Sequence, residues 1–143
     1  MIVPQDHVRR VERLAQNMFI CAPHAAQKLA FYAMDCKPEL DRNRAVYATN
    51  RDLMIAGLQD AGLGKFAPPD GAFYIYVDVS DYTDDALGFA AQILEQAGVA
   101  VTPGLDFDAA RGRHWLRFSY ARATADIVEG VARLKAFMQA RTA

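Results

Sequence analysis

The sequence predicts a two-layer α/β sandwich of the α+β kind: a small three- to four-stranded sheet with flanking helices and a long connecting helix. Three observations predict it. Apolar residues recur at helical spacing in five separate stretches. Three short runs, 72–79, 99–101 and 115–120, read as strands. The chain has 143 residues, 52% of them hydrophobic, which suits one domain with a short extra arm. A chain of this size buries roughly 68–70% of the surface its unfolded form exposes, so a core forms without disulfides or metals.

Composition excludes several classes. The high apolar fraction and a formal net charge of −1 exclude disorder. Sixteen basic residues face 17 acidic ones, and no Lys/Arg run exceeds two, which argues against an electrostatic nucleic-acid binder. No uncharged apolar run reaches the length of about 18 residues that a membrane-spanning helix needs. Asp6, Arg9, Arg10, Glu12 and Arg13 interrupt any signal-peptide core. Cys21 and Cys36 lack Cys-x-x-Cys spacing and read as buried thiols in a reducing cytosol. His7, His24 and His114 are scattered, and no metal site is expected.

In chain order, Met1-Ile-Val-Pro4 reads as the tail of a strand. Val8, Val11, Leu14 and Met18 then mark one helix face, with Asp6 as its cap. A second helix over 24–35 is rich in alanine, which allows close packing. Pro38 suits the first turn of a third helix that runs to about Ala61, with Leu40, Tyr47, Met54, Leu58 and Ala61 along one side. That helix is roughly 24 residues, or about 36 Å, long. Gly62 and Gly64 end it.

Ala67-Pro-Pro-Asp-Gly71 is a turn by composition. The following strand alternates Phe73, Ile75, Val77 and Val79 with Tyr74 and Tyr76, so both of its faces are expected to be covered. Thr83 is expected to cap a helix to Ala97 with Leu87, Ala90, Ala91 and Leu94 inward. After Gly98 come a strand at 99–101, a Gly/Asp-rich loop, and a strand from Trp115. Thr124 caps the last helix, whose stripe is Ile127, Val131, Leu134 and Met138.

Three features carry chemistry. Arg117 interrupts an apolar strand. A guanidinium fork matches the paired oxygens of a carboxylate or phosphate, although an edge-strand arginine facing water reads the same way. Gly71 permits a tight turn or a close approach to a ligand, and Phe73 and Tyr74 leave it on opposite faces; an ordinary turn feeding a core strand fits equally. Thr102-Pro103-Gly104 makes a rigid strand tip, a common place for ligand contacts and equally a surface connection. Glycine-rich nucleotide loops and the Gly-x-Ser-x-Gly elbow do not occur.

These features occur together and in order: Pro68-Pro-Asp-Gly-Ala-Phe-Tyr74, then Gly98-Val-Ala-Val-Thr-Pro-Gly104 with Phe107, then Trp115-Leu-Arg-Phe-Ser119. In that combination the chain resembles the C-terminal, small domain of class I/II aminotransferases, pyridoxal phosphate (PLP) enzymes of fold type I. The opening residues resemble the strand that follows the family's cofactor lysine, and 22–30 its alanine-rich helix. The resemblance implies residual elements bordering a large domain over 1–36 and the small domain with its connecting helix over 37–143. It implies that Arg117 binds the substrate α-carboxylate and that Gly71, Phe73, Pro103 and Gly104 lie near the pocket. It also implies PLP, amino-acid and 2-oxo-acid substrates, a cytoplasmic homodimer, and no nucleic acid or membrane.

Lys28, Lys37, Lys65 and Lys135 lie outside the family's Ser-Lys context. The expectation is therefore a fragment of an aminotransferase, inactive alone because the Schiff-base lysine is absent. The alternatives are a fragment of a PLP-dependent C–S lyase, or a free-standing carboxylate-binding or interaction domain.

Overall fold

The computed structural model describes residues 2–142; Met1, where the expected strand end begins, and Ala143 lie outside the described residues. The chain divides into two compact units, the first ending at Asp41 and the second beginning at Arg42.

The first unit contains α1 (Val8–Met18) and α2 (His24–Ala33), and none of residues 2–41 is buried. Ile2, Val3 and Pro4 form no strand, because the unit offers them no strand to pair with. Instead the Pro4 carbonyl accepts from His7 N at 3.0 Å and closes a 3-10 turn ahead of α1. Asp6 lies inside that turn, 3.1 Å from His7 Nδ1, and does not cap the helix. Cys21 and Cys36 are free and exposed, not buried, since they belong to a unit that buries nothing. Large apolar side chains stand open here: Leu14, Met18, Phe19, Ile20, Leu29, Phe31, Tyr32 and Met34.

Helix α3 (Lys37–Asp60) begins in the first unit and continues through the second. Its 24 residues are the length the sequence predicts, and Pro38 occupies its first turn. Met54, Leu58 and Ala61 are buried, whereas Leu40 is exposed. The left-handed φ of Gly62 (+82°) terminates the run, and the Tyr82 hydroxyl donates to the Gly62 carbonyl at 2.8 Å.

The sheet has three antiparallel strands: β1 (Tyr74–Asp78), β2 (Thr102–Pro103) and β3 (Trp115–Ser119), in the order β1-β3-β2. Strand β3 is central. Val99 and Val101 pack on the core, but the ladder takes up the chain only from Thr102, after the expected strand. Helices α4 (Ala86–Ala97) and α5 (Thr124–Thr142) complete the second unit.

Paired residues in a ladder share a face. Ile75 with Phe118 and Val77 with Leu116 therefore form one face, buried in a common core with Leu58, Phe89, Ile93 and Leu134. The other face carries Tyr74, Tyr76 and Asp78 from β1 with Trp115, Arg117 and Ser119 from β3, and none of these is buried. The β1 strand is thus buried on one face and only partly covered on the other, where the sequence expectation covers both.

Helix α4 differs in its inward face. Ala86, Phe89, Ala90 and Ile93 are buried, whereas Leu87, Ala91 and Leu94 are exposed. The helix is apolar around much of its circumference, so spacing admits two stripes. The larger contact with α5, where the Phe89 and Phe137 rings lie 6.0 Å apart, selects one. Its cap is Asp85, which accepts from Gly88 N at 3.0 Å, while Thr83 Oγ1 accepts from Asp85 N at 2.9 Å. The α5 stripe follows the expected spacing, with Phe137 added.

Candidate functional site

The open face of the sheet is the candidate site. In register, Tyr76 on β1 and Thr102 on β2 both pair with Arg117, making a row of three side chains across the sheet. Arg117 is half-buried. Its Nη2 donates to Thr102 Oγ1 at 3.3 Å, and its guanidinium carbon lies over two rings, 4.6 Å from the Phe107 centroid and 5.3 Å from that of Tyr74. Arg117 Nε is sealed from solvent and has no hydrogen-bond partner. Among the described residues no carboxylate pairs with this guanidinium, so its charge is available to an anion.

The loop that carries Phe107 is tied down by backbone contacts. Gly104 opens a 3-10 turn (Gly104–Asp106) and packs on Tyr76, Trp115 and Gly112 so closely that a Cβ there would meet the Tyr76 hydroxyl, and would lie 2.7 Å from the Gly112 carbonyl oxygen. Gly112 in turn has no room for a Cβ against the Gly104 backbone. Asp108 accepts from the backbone N of Ala110 and of Arg111, each at 3.0 Å, and from Arg111 Nε at 2.9 Å. The Arg111 backbone bond, then its side chain, hold the Asp108 carboxyl below its ordinary value. Tyr76 stacks on Trp115 at 4.9 Å, and burial, aided by Asp108, pushes its phenol up.

The other residues singled out in the sequence fall at different places. Phe73 is exposed and meets Tyr74 edge-on at 5.7 Å, one ring away from Arg117. Pro103 pairs with Leu116, which assigns it to the core-facing side of the sheet, away from Arg117. Gly71 stands in open space, and the left-handed backbone of this turn falls on Ala72 (φ +60°) instead. The Tyr120 hydroxyl, donating to the Ala72 carbonyl at 3.3 Å, and Tyr120 N, donating to the Phe73 carbonyl at 2.9 Å, hold that conformation.

Sequence reasoning gave Tyr76 no site role, and named Thr102 and Phe107 only as parts of the strand tip and the loop after it, not as partners of Arg117. The signal that finds Tyr76 and Thr102 is strand register, which needs the pairing and not only the elements; Phe107 lies outside every strand.

A family model described as aminotransferase class I and II matches residues 1–134. The chain belongs to the class I and II aminotransferases. A valine–pyruvate aminotransferase of Mycobacterium tuberculosis is 42% identical over 140 residues, which are 96% of this chain and 36% of that protein. A crystal structure from Silicibacter pomeroyi, described provisionally as an aminotransferase, superposes with a TM-score of 0.86 at 67% identity, covering 99% of this chain and 38% of that one. An aminotransferase of M. tuberculosis superposes with a TM-score of 0.82 at 42% identity, over 96% and 36% of the two chains. This aminotransferase chain thus spans little more than a third of the length of these relatives.

Aminotransferase chemistry implies PLP in the parent, which would need a lysine able to shed its proton and bond the cofactor covalently. The lysines of this chain do not fit that role. Lys37 is paired with Asp41 at 2.7 Å and Lys135 with Asp60 at 3.2 Å. The Asp81 side chain, bonded to Lys65, raises its pKa and so favours the charged ammonium. Lys28 is exposed on α2. No step through the cofactor follows from these residues. Among the described residues, no helix is long and apolar enough to cross a membrane.

Proposed function

We propose that the chain is the small-domain portion of a PLP-dependent, fold type I aminotransferase that moves an amino group between an amino acid and a 2-oxo acid, and that Arg117 receives the substrate α-carboxylate. The observation that carries this reading is a half-buried guanidinium on an open sheet face, unpaired by any described carboxylate, in a chain of this family. Arg117 supplies a planar fork for two oxygens. Phe107 and Tyr74 limit its swing and exclude water from its faces. Fixing the carboxylate fixes the orientation of the substrate's Cα–H bond, a positioning effect.

Because no lysine in the chain fits the cofactor-bonding role, the chain alone is expected to lack transaminase activity. The uncovered apolar side chains of α1 and α2 support burial against further parts of the parent or a second subunit, and hence a homodimeric parent. The free, exposed cysteines accord with a reducing cytoplasm.

The test uses the full-length parent supplied with PLP, each standard amino acid, and pyruvate or 2-oxoglutarate as acceptor. The expected product is a new amino acid formed from the acceptor. Pyruvate and ammonia released from the donor would move the reading to a C–S lyase, and no turnover of any donor would overturn it. Transamination by the 143-residue chain alone would contradict the assignment of its lysines.

A further inference from the structure

We propose that Thr102 is a positioning residue for Arg117: its hydroxyl holds the side of the guanidinium so that the end-on edge, Nη1 with Nη2, meets the carboxylate. This inference rests on the carboxylate-receptor reading of Arg117.

A guanidinium offers two edges that can take a carboxylate in bidentate fashion, Nε with Nη2 and Nη1 with Nη2. The first is closed in this protein. Nε, which belongs to that edge alone, is sealed from solvent, while Nη2, common to both edges, spends one of its two hydrogens on Thr102 Oγ1 at 3.3 Å. The second keeps Nη1 and the remaining Nη2 hydrogen. Strand pairing fixes the geometry, since Thr102 is the direct cross-strand partner of Arg117 and its side chain must share that face. Phe107 and Tyr74 bound the guanidinium by their rings but accept no hydrogen bond that would choose its rotation. Thr102 supplies that choice. Gly104, two residues on, is locked against Tyr76 and Gly112, so the strand tip that carries the hydroxyl has little freedom to shift.

The experiment uses the full-length parent with PLP and the best amino donor from the panel of standard amino acids. T102V removes the hydroxyl and keeps the branched shape. It is expected to raise the donor KM about fivefold to tenfold with kcat changed less than about twofold. T102S keeps the hydroxyl and is expected to restore KM to within about twofold. In an R117K background, T102V is expected to add no further rise, because the two residues act as one unit. If T102V does not fold, T102A against T102S gives the same comparison. Unchanged KM in T102V, or a rise that T102S does not rescue, overturns the inference while a raised KM in R117K leaves the carboxylate reading standing. Normal KM in R117K overturns both.

Discussion

The guanidinium carbon of Arg117 lies 4.6 Å from the centroid of the Phe107 ring, a contact between the central strand and the loop that follows β2. An aromatic face attracts a cation by about 0.5–2 kcal/mol, depending on how far the pair is desolvated. Phe107→Leu keeps the bulk and removes the quadrupole. In the full-length parent it is expected to raise KM about threefold to tenfold, with the melting temperature nearly unchanged. Steady-state kinetics and a thermal melt check this.

The Asp108 carboxylate organises the same loop, and its folded pKa lies below the ordinary 3.8. A depressed carboxyl adds stability that is fully present above the ordinary value and is lost as pH falls through the folded value. Loop order is therefore expected to hold at neutral pH and fail only below about pH 4. Trp115 is the sole tryptophan and stacks on Tyr76 beside this loop, so its fluorescence reports the change. Asp108→Asn is expected to produce near pH 7 the altered emission that the unchanged chain gives only in acid. Identical emission at both pH values would contradict this role.

Asn50 is fully buried on α3 and donates to two carbonyls at the end of β3, Tyr120 at 3.1 Å and Arg122 at 2.7 Å. Its own Oδ1 has no partner. Asn50→Ala takes the donor from the buried Tyr120 carbonyl and the part-buried Arg122 carbonyl and is expected to cost about 1–3 kcal/mol of stability. Denaturant unfolding of the parent measures it, and a loss under about 0.5 kcal/mol would contradict the assignment.

Ala72 holds a left-handed backbone that L-residues adopt at a cost of about 1–2 kcal/mol. Glycine removes that cost but loses more entropy on folding. Ala72→Gly is expected to be neutral or to stabilise by up to about 1 kcal/mol, read in the same unfolding experiment.

Much of this was legible in the residues. The length of α3, the α5 stripe and an arginine set in an apolar strand all follow from local pattern, since helix period and strand alternation are encoded residue by residue. What local pattern does not encode is which surface an element meets. Leu87 and Leu94 satisfy a helical stripe as well as Phe89 and Ile93 do, and only packing decides. Ile2 and Val3 read as strand, but a strand exists only with a neighbour. Gly71 carries the glycine signature of the turn, while the positive φ sits on Ala72, held by Tyr120 from 48 residues away. The partners of Arg117 are likewise a matter of register: Thr102 and Tyr76 are distant in sequence and adjacent only across the sheet.

The proposed function turns on the hold of Arg117 on the substrate carboxylate. Its most direct test is kcat/KM of Arg117→Ala in the full-length, PLP-loaded parent, with circular dichroism confirming the fold. Loss of a charged, bidentate contact is expected to lower kcat/KM by about a hundredfold or more, with a raised KM. A folded variant within about twofold of the unchanged enzyme would contradict the account.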